Sequence, residues 1–263
     1  MSRIPKTFKR LKSEGRAALM PYLTIGYPEK ESAKSLVPAI EASGADMMEL
    51  GIPFSDPLAD GPTVQASTQK ALTNGVNLRY CLETVAELRA AGVKMPFAFM
   101  GYYNPIYQMG IERFAAAAKE AGVDALIVPD LPPEEAEPLD EALKAHDIDY
   151  IYFLAPTSDE SRLQLVAQKA RGFIYLVSLV GVTGARNKMS TELPAFIERV
   201  RRATKVPLAV GFGISTPETA RAVGELADGV IVGSALIKRV SDPATAEAGA
   251  REFVGALRQG LEP

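Results

Sequence analysis

The sequence predicts an α/β architecture: a (β/α)8 TIM barrel with an extra N-terminal helix, forming one domain over residues 1–263. Three observations carry this expectation. Short runs rich in Val, Ile, Leu and Phe alternate with helical patterns, and eight such units fit into about 250 residues. Those runs lack polar/apolar alternation, as expected of parallel strands covered on both faces. The joints also repeat: Glu41-Ala-Ser-Gly44-Ala-Asp46 and Glu120-Ala-Gly122-Val-Asp124 each end a helix on a glycine and open a strand two residues later. An open doubly wound sheet is the alternative, but no G-x-G-x-x-G follows the first strand. No Pro- or Ser-rich linker divides the chain.

Arg3, Lys6, Lys9, Arg10 and Lys12 form a basic cluster, with Ile4, Phe8 and Leu11 at helical spacing. A transit peptide has this composition. The segment is short and runs directly into a strand, so a surface helix docked on the domain is the expectation. Leu19–Ile25 reads as the first strand, broken by Gly26 and Pro28, and a helix follows over about Glu29–Ser43. Met47, Met48 and Leu50 mark the second strand, followed by helical stretches at Thr63–Asn74 and Leu78–Ala91. Strands near Met95–Met100, Asp124–Val128 and Asp149–Leu154 are separated by helices at Ile111–Ala121 and Glu134–His146. The last part alternates the helix Asp159–Ala170, strand Phe173–Ser178, helix Glu192–Ala203, strand Pro207–Val210, helix Pro217–Leu226, strand Gly229–Val232 and helix Ala244–Arg258. Thr157-x-x-Glu160 and Ser215-x-x-Glu218 have the form of capping boxes. Tyr102–Gly110 reads as an unusually apolar loop, which together with Phe54 suggests either a partner surface or burial under neighbouring loops.

Composition narrows the function. A net charge of −3 leaves no nucleic-acid footprint. One cysteine, Cys81, excludes an internal disulfide and suits a reducing, cytoplasmic setting. One histidine and one cysteine are too few for a zinc site, and no metal is assigned. No apolar run approaches the roughly 18 residues of a membrane span.

Residues Asp46 to Pro62, DMMELGIPFSDPLADGP, are the centre of the functional reading. A buried strand delivers Glu49, and a loop made irregular by Gly51, Pro53 and Pro57 delivers Asp60. Apolar surroundings disfavour a carboxylate and raise its pKa toward acid/base use. Glu49 could instead be a paired structural carboxylate, and Asp60 an N-cap. Two such acids from one strand and its following loop favour a site. Val210-Gly211-Phe212-Gly213 and Val232-Gly233-Ser234 supply glycine turns where barrels commonly hold phosphate. Gly181-Val-Thr-Gly184 could close over a ligand or simply connect two elements. Tyr22, Thr24, Tyr102, Tyr175 and Phe212 would together suit a flat aromatic ligand. His146 stands near a helix C-terminus, and neither it nor Cys81 is assigned chemistry.

ELGIPFSDPLADGP (Glu49–Pro62), GVTG (Gly181–Gly184), GFGIS (Gly211–Ser215) and GSA (Gly233–Ala235) resemble, in order and across nearly the whole chain, the tryptophan synthase alpha subunit. The resemblance implies cleavage of indole-3-glycerol phosphate to indole and glyceraldehyde 3-phosphate, with no cofactor in this chain. It implies Glu49 as general acid/base and Asp60 as the stabiliser of positive charge at the indole nitrogen. Tyr175 would lie beside them, and Thr183 would bond Asp60. Tyr22, Tyr102 and Phe212 would line the substrate site, and Gly184, Gly213, Gly233 and Ser234 would cradle phosphate. The implied partner is a pyridoxal-phosphate beta subunit in an alpha2-beta2 tetramer, met through segments holding Pro53, Asp56, Asn104 and Asp130. Tyr27 and Leu179 depart from the pattern of the best-known members, where Asp and Arg are common, and bear on loop closure and communication with the partner. A different barrel acting on a sugar phosphate would share the glycine turns but not the Glu49–Pro62 motif. A silent binding subunit would lack one acid, and a lyase working without a partner would not co-elute with a beta-type chain.

Overall fold

The computed structural model describes residues 2–177, 189–211 and 213–262. Among these, nine parallel strand segments run β1 (Ala18–Thr24), β2 (Met48–Gly51), β3 (Phe97–Met100), β4 (Ala125–Ile127), β5 (Asp149–Ile151), β6 (Phe153–Leu154), β7 (Ile174–Val177), β8 (Leu208–Gly211) and β9 (Gly229–Val232). Their spatial order is β5-β4-β3-β2-β1-β9-β8-β7-β6. The two ends of that order are halves of one extended run. β5 pairs with β4 and β6 with β7, the switch falling at Tyr152, whose carbonyl accepts the Tyr175 N–H at 2.9 Å. The predicted fifth strand therefore changes partner midway and closes an eight-stranded barrel.

Helices surround it: α1 (Ile4–Glu14), α2 (Ser32–Ala42), α3 (Pro62–Thr73), α4 (Leu78–Ala90), α5 (Tyr103–Met109), α6 (Ile111–Ala121), α7 (Glu137–Ala145), α8 (Glu160–Lys169), α9 (Met189–Ala203), α10 (Pro217–Gly224), α11 (Ser234–Arg239) and α12 (Ala246–Gly260). Two packed layers result. One lies between strands and helices, with Leu19, Leu23, Met48, Leu50, Phe97 and Phe99 facing outward. The other fills the barrel interior with Ala18, Met20, Met47, Ala98, Ile127, Phe173 and Ile231. α1 belongs to the inner layer: Ile4, Phe8 and Leu11 pack into it, and the Phe8 ring lies 6.1 Å from that of Phe173. The basic N-terminal segment is thus a plug for the barrel floor, not the expected surface helix, because Ile4, Phe8 and Leu11 fill the open end of the interior.

Aspartates at strand starts organise that floor. Asp46 accepts the Leu19 N–H at 3.0 Å, Asp124 the Phe97 N–H at 3.0 Å and Asp228 the Leu208 N–H at 2.8 Å, each across to the neighbouring strand. Arginines neutralise each carboxylate: Arg10 and Arg16 on Asp46, Arg3 and Arg89 on Asp124, Arg201 on Asp228. Three of these arginines, Arg3, Arg10 and Arg16, stand in or flank α1 and fasten the plug. The repeated joints acquire a physical purpose here. Gly44 and Gly122, both at positive φ, turn the chain so that the aspartate two residues on reaches across the floor.

Three local expectations need correction. Tyr102–Gly110 is not a loop, because Tyr103–Met109 is helical. Its first N–H, that of Tyr103, donates to the Asp130 carboxylate at 3.0 Å, a cap that no neighbouring residue could reveal. Thr157 does not cap α8. Asp159 does, accepting the Arg162 N–H at 2.8 Å. The reciprocal box of α10 lies between Thr216 and Thr219 rather than Ser215 and Glu218, because Pro217 fixes the first helical position one residue later.

Truncating the plug at Phe8→Ala should cost about 3 kcal/mol of unfolding free energy, read from urea denaturation. A loss under about 1 kcal/mol would mean that α1 does not close the floor.

Candidate active site

Met48 and Leu50 pack outward, so the pleat of β2 turns Glu49 inward, in register with Tyr22 of β1 and Ala98 of β3. Glu49 is 2% exposed and its Oε2 has no hydrogen-bond partner among the described residues. Burial, with the nearby charge of Asp60 second, pushes its pKa up to about 8. The alternative of a paired structural carboxylate fails, because no ion pair reaches Glu49 among the described residues.

The chain after β2 is anchored at both ends. Ile52 N–H donates to the Met100 carbonyl at 2.7 Å, Asp60 N–H to the Pro57 carbonyl at 3.1 Å, and Gln65 Nε2 to the Asp60 carbonyl at 2.8 Å. Ala59 N–H donates to the Tyr102 hydroxyl at 3.0 Å, and the Tyr102 ring stacks 5.4 Å from Phe54. Asp60 does not cap α3, whose N-cap is Gly61 without a side-chain bond. Its half-buried carboxyl faces the Tyr102 hydroxyl instead of the helix. Burial pushes its pKa up to about 6, against the hydrogen bond from Tyr102. Between those two values Asp60 is charged and Glu49 carries its proton.

Two glycines make room for the phenols around this pair. A Cβ at Gly51 would overlap the Tyr22 hydroxyl, and one at Gly211 would overlap that of Tyr175. The Tyr175 ring also packs 4.9 Å from Phe153. Tyr22 is held above the ordinary tyrosine range by burial and then by Asp60 and Glu49, and Tyr175 by burial and then by Glu49. Glu49, Asp60, Tyr22, Tyr102 and Tyr175 thus form one electrostatically coupled cluster.

Gly213, at φ 66°, follows β8, while Gly233 and Ser234 join β9 to α11. These neighbouring strands end on one side of the mouth, where the first N–H groups of α11 lack intrahelical partners. Thr183, Gly184 and Phe212 lie outside the described residues, as do the rest of Gly181–Gly184 and Leu179. Pro53 is buried, whereas Asp56, Asn104 and Asp130 are exposed beyond the acid cluster. His146 is the C-cap of α7, and burial in α4 pushes the Cys81 thiol up. No group of metal-binding side chains forms among the described residues. Sequence reading treated Gly51 and Gly211 as turn formers and missed that they seat tyrosines, for which no local signal exists.

The family model described as tryptophan synthase alpha chain matches residues 8–261. The chain belongs to the tryptophan synthase alpha chain family. That family's alpha chain from Roseiflexus sp. (strain RS-1) is 54% identical over 98% of this chain and 100% of its own length. The one from Chloroflexus aggregans is 53% identical over 100% and 99%. A solved tryptophan synthase alpha subunit from Legionella pneumophila superposes with a TM-score of 0.91 at 39% identity, covering 99% of this chain and 98% of that one. A chain of Mycobacterium tuberculosis tryptophan synthase gives 0.92 at 37%, covering 100% and 99%. Membership in the tryptophan synthase alpha chain family gives the enzyme class, a lyase of tryptophan biosynthesis.

The raised Glu49 value has a consequence for stability. Below its ordinary value of 4.5, Glu49 is neutral in folded and unfolded chains alike. Between 4.5 and about 8 the unfolded chain ionises while the folded one does not, so the wild type loses stability as pH rises through that window. Glu49→Gln should therefore melt progressively higher than wild type from pH 5 to 8, by several degrees at pH 8, with a constant gap above. A pH-independent gap would contradict a buried neutral acid.

Proposed function

We propose that Glu49 and Asp60 carry the retro-aldol cleavage of indole-3-glycerol phosphate to indole and glyceraldehyde 3-phosphate. The supporting observation is the staggered acid pair, neutral Glu49 beside charged Asp60 near pH 7. The Glu49 carboxyl delivers its proton to indole C3, forming a C–H bond and leaving positive charge at the ring nitrogen, which the Asp60 carboxylate stabilises. The Glu49 carboxylate so formed takes the proton of the adjacent glycerol hydroxyl. The new carbonyl forms, the carbon–carbon bond breaks, and its electron pair restores the aromatic indole. Glu49 ends as it began, so no cofactor in this chain is required.

In this reading Tyr22, Tyr102, Tyr175 and Phe212 enclose the indole, and Thr183 bonds Asp60. The backbones of Gly184, Gly213, Gly233 and Ser234 hold the phosphate, the last two with help from the opening turn of α11. The indole passes to a beta subunit bearing pyridoxal phosphate, in an alpha2-beta2 assembly in the cytoplasm. Support for a partner face comes from Leu58, 89% exposed, and Tyr107, 61% exposed, near Asp56, Asn104 and Asp130. Pro53, being buried, would act by shaping that loop.

Indole release with the beta subunit present tests the roles. Glu49→Gln should lower kcat by at least about 100-fold while substrate still binds, and Asp60→Asn by about 100-fold. Wild-type activity should fall below about pH 6 and above about pH 8, as each acid leaves its required state. Glu49→Gln at near wild-type rate would end the assignment.

A further inference from the structure

The hydroxyl of Tyr22 belongs to a buried chain of hydroxyls that ends on a helix carbonyl. Ser67 of α3 donates to the Val64 carbonyl at 2.8 Å. With the Ser67 proton on that carbonyl, Thr24 is the donor in its 2.7 Å contact with Ser67, a contact in which either hydroxyl can donate. The Thr24 proton is then spent, and the phenol is the donor in the 3.2 Å contact between Tyr22 and Thr24, which is the direction the proposal takes. All three side chains are buried, at 5%, 0% and 1% exposure for Tyr22, Thr24 and Ser67, so no solvent competes.

We propose that Thr24 and Ser67 are positioning residues that hold the Tyr22 proton away from the Glu49–Asp60 pair. Tyr22 stands beside Glu49 in register and over Gly51, and both carboxyl groups act on it electrostatically. A phenol so placed would ordinarily donate to a carboxylate and favour its charged form. Tyr102 does so for Asp60. The chain from Tyr22 ends instead on a helix carbonyl, and Glu49 Oε2 remains without a donor. The groups facing Glu49 among the described residues are Asp60, Tyr22 and Tyr175, none of them cationic. With the Tyr22 proton directed elsewhere, that phenol gives an ionised Glu49 no hydrogen bond, which favours the protonated acid. Tyr22 meanwhile presents its oxygen to the site as an acceptor.

This inference rests on the roles proposed for Glu49 and Asp60, and its test separates the two. The measurement is the pH profile of kcat/KM for indole formation by the full chain with its beta partner. Thr24→Val removes the acceptor and frees the phenol proton, so at least one limb should move to lower pH by about one pH unit. Tyr22→Phe alone should leave both limbs in place, because its proton never reached the acids. The double variant should return the shifted limb to the wild-type position, and Thr24→Ser should never shift it. Unmoved limbs in Thr24→Val, or an equal shift in the Tyr22→Phe background, would overturn the proposal while leaving the acid roles intact. An active Glu49→Gln would remove both.

Discussion

A carboxyl group buried at a strand end, with no donor among the described residues for one of its oxygens, is the constraint on which the site depends. Among the described residues, Glu49 is faced by phenols and another acid and by no cation. The consequence is an acid that keeps its proton at neutral pH beside one that does not. One carboxyl can then give a proton and take one back within a single turnover.

A buried unsatisfied acid is destabilising, and the opposite end of the barrel shows what tolerates it. On the floor, Asp46, Asp124 and Asp228 are engaged by backbone N–H groups and arginines, and α1 seals the interior with Phe8 against Phe173. Strand starts are thus tied by charge-assisted hydrogen bonds, whereas strand ends are left with glycines, phenols and lone carboxyls. Gly51 and Gly211 belong to that second set. Side chains there would displace the rings of Tyr22 and Tyr175, which exclude water from Glu49.

The barrel was legible because its signals are local. Apolar runs, helical spacing and glycine-terminated joints each act within a few residues, and the two acids stood out because they sit against apolar sequence. What escaped depends on partners far along the chain. The strand that changes partner at Tyr152 looks continuous in sequence. α5 needs Asp130, 27 residues away, for its first N–H. Thr24 and Ser67 are 43 residues apart, and their hydrogen bond exists only once α3 packs over β1. The capping positions failed for a smaller reason: Asp159 and Pro217 override nearby residues of the same general type.

The most direct test is the resting titration of Glu49 itself, followed by carbon NMR of a side-chain-labelled full chain without ligand and assigned by loss of the signal in Glu49→Gln. The account predicts a midpoint near pH 8, moving lower in Asp60→Asn as the neighbouring negative charge disappears. A midpoint near the ordinary 4.5, unmoved by Asp60→Asn, would contradict it.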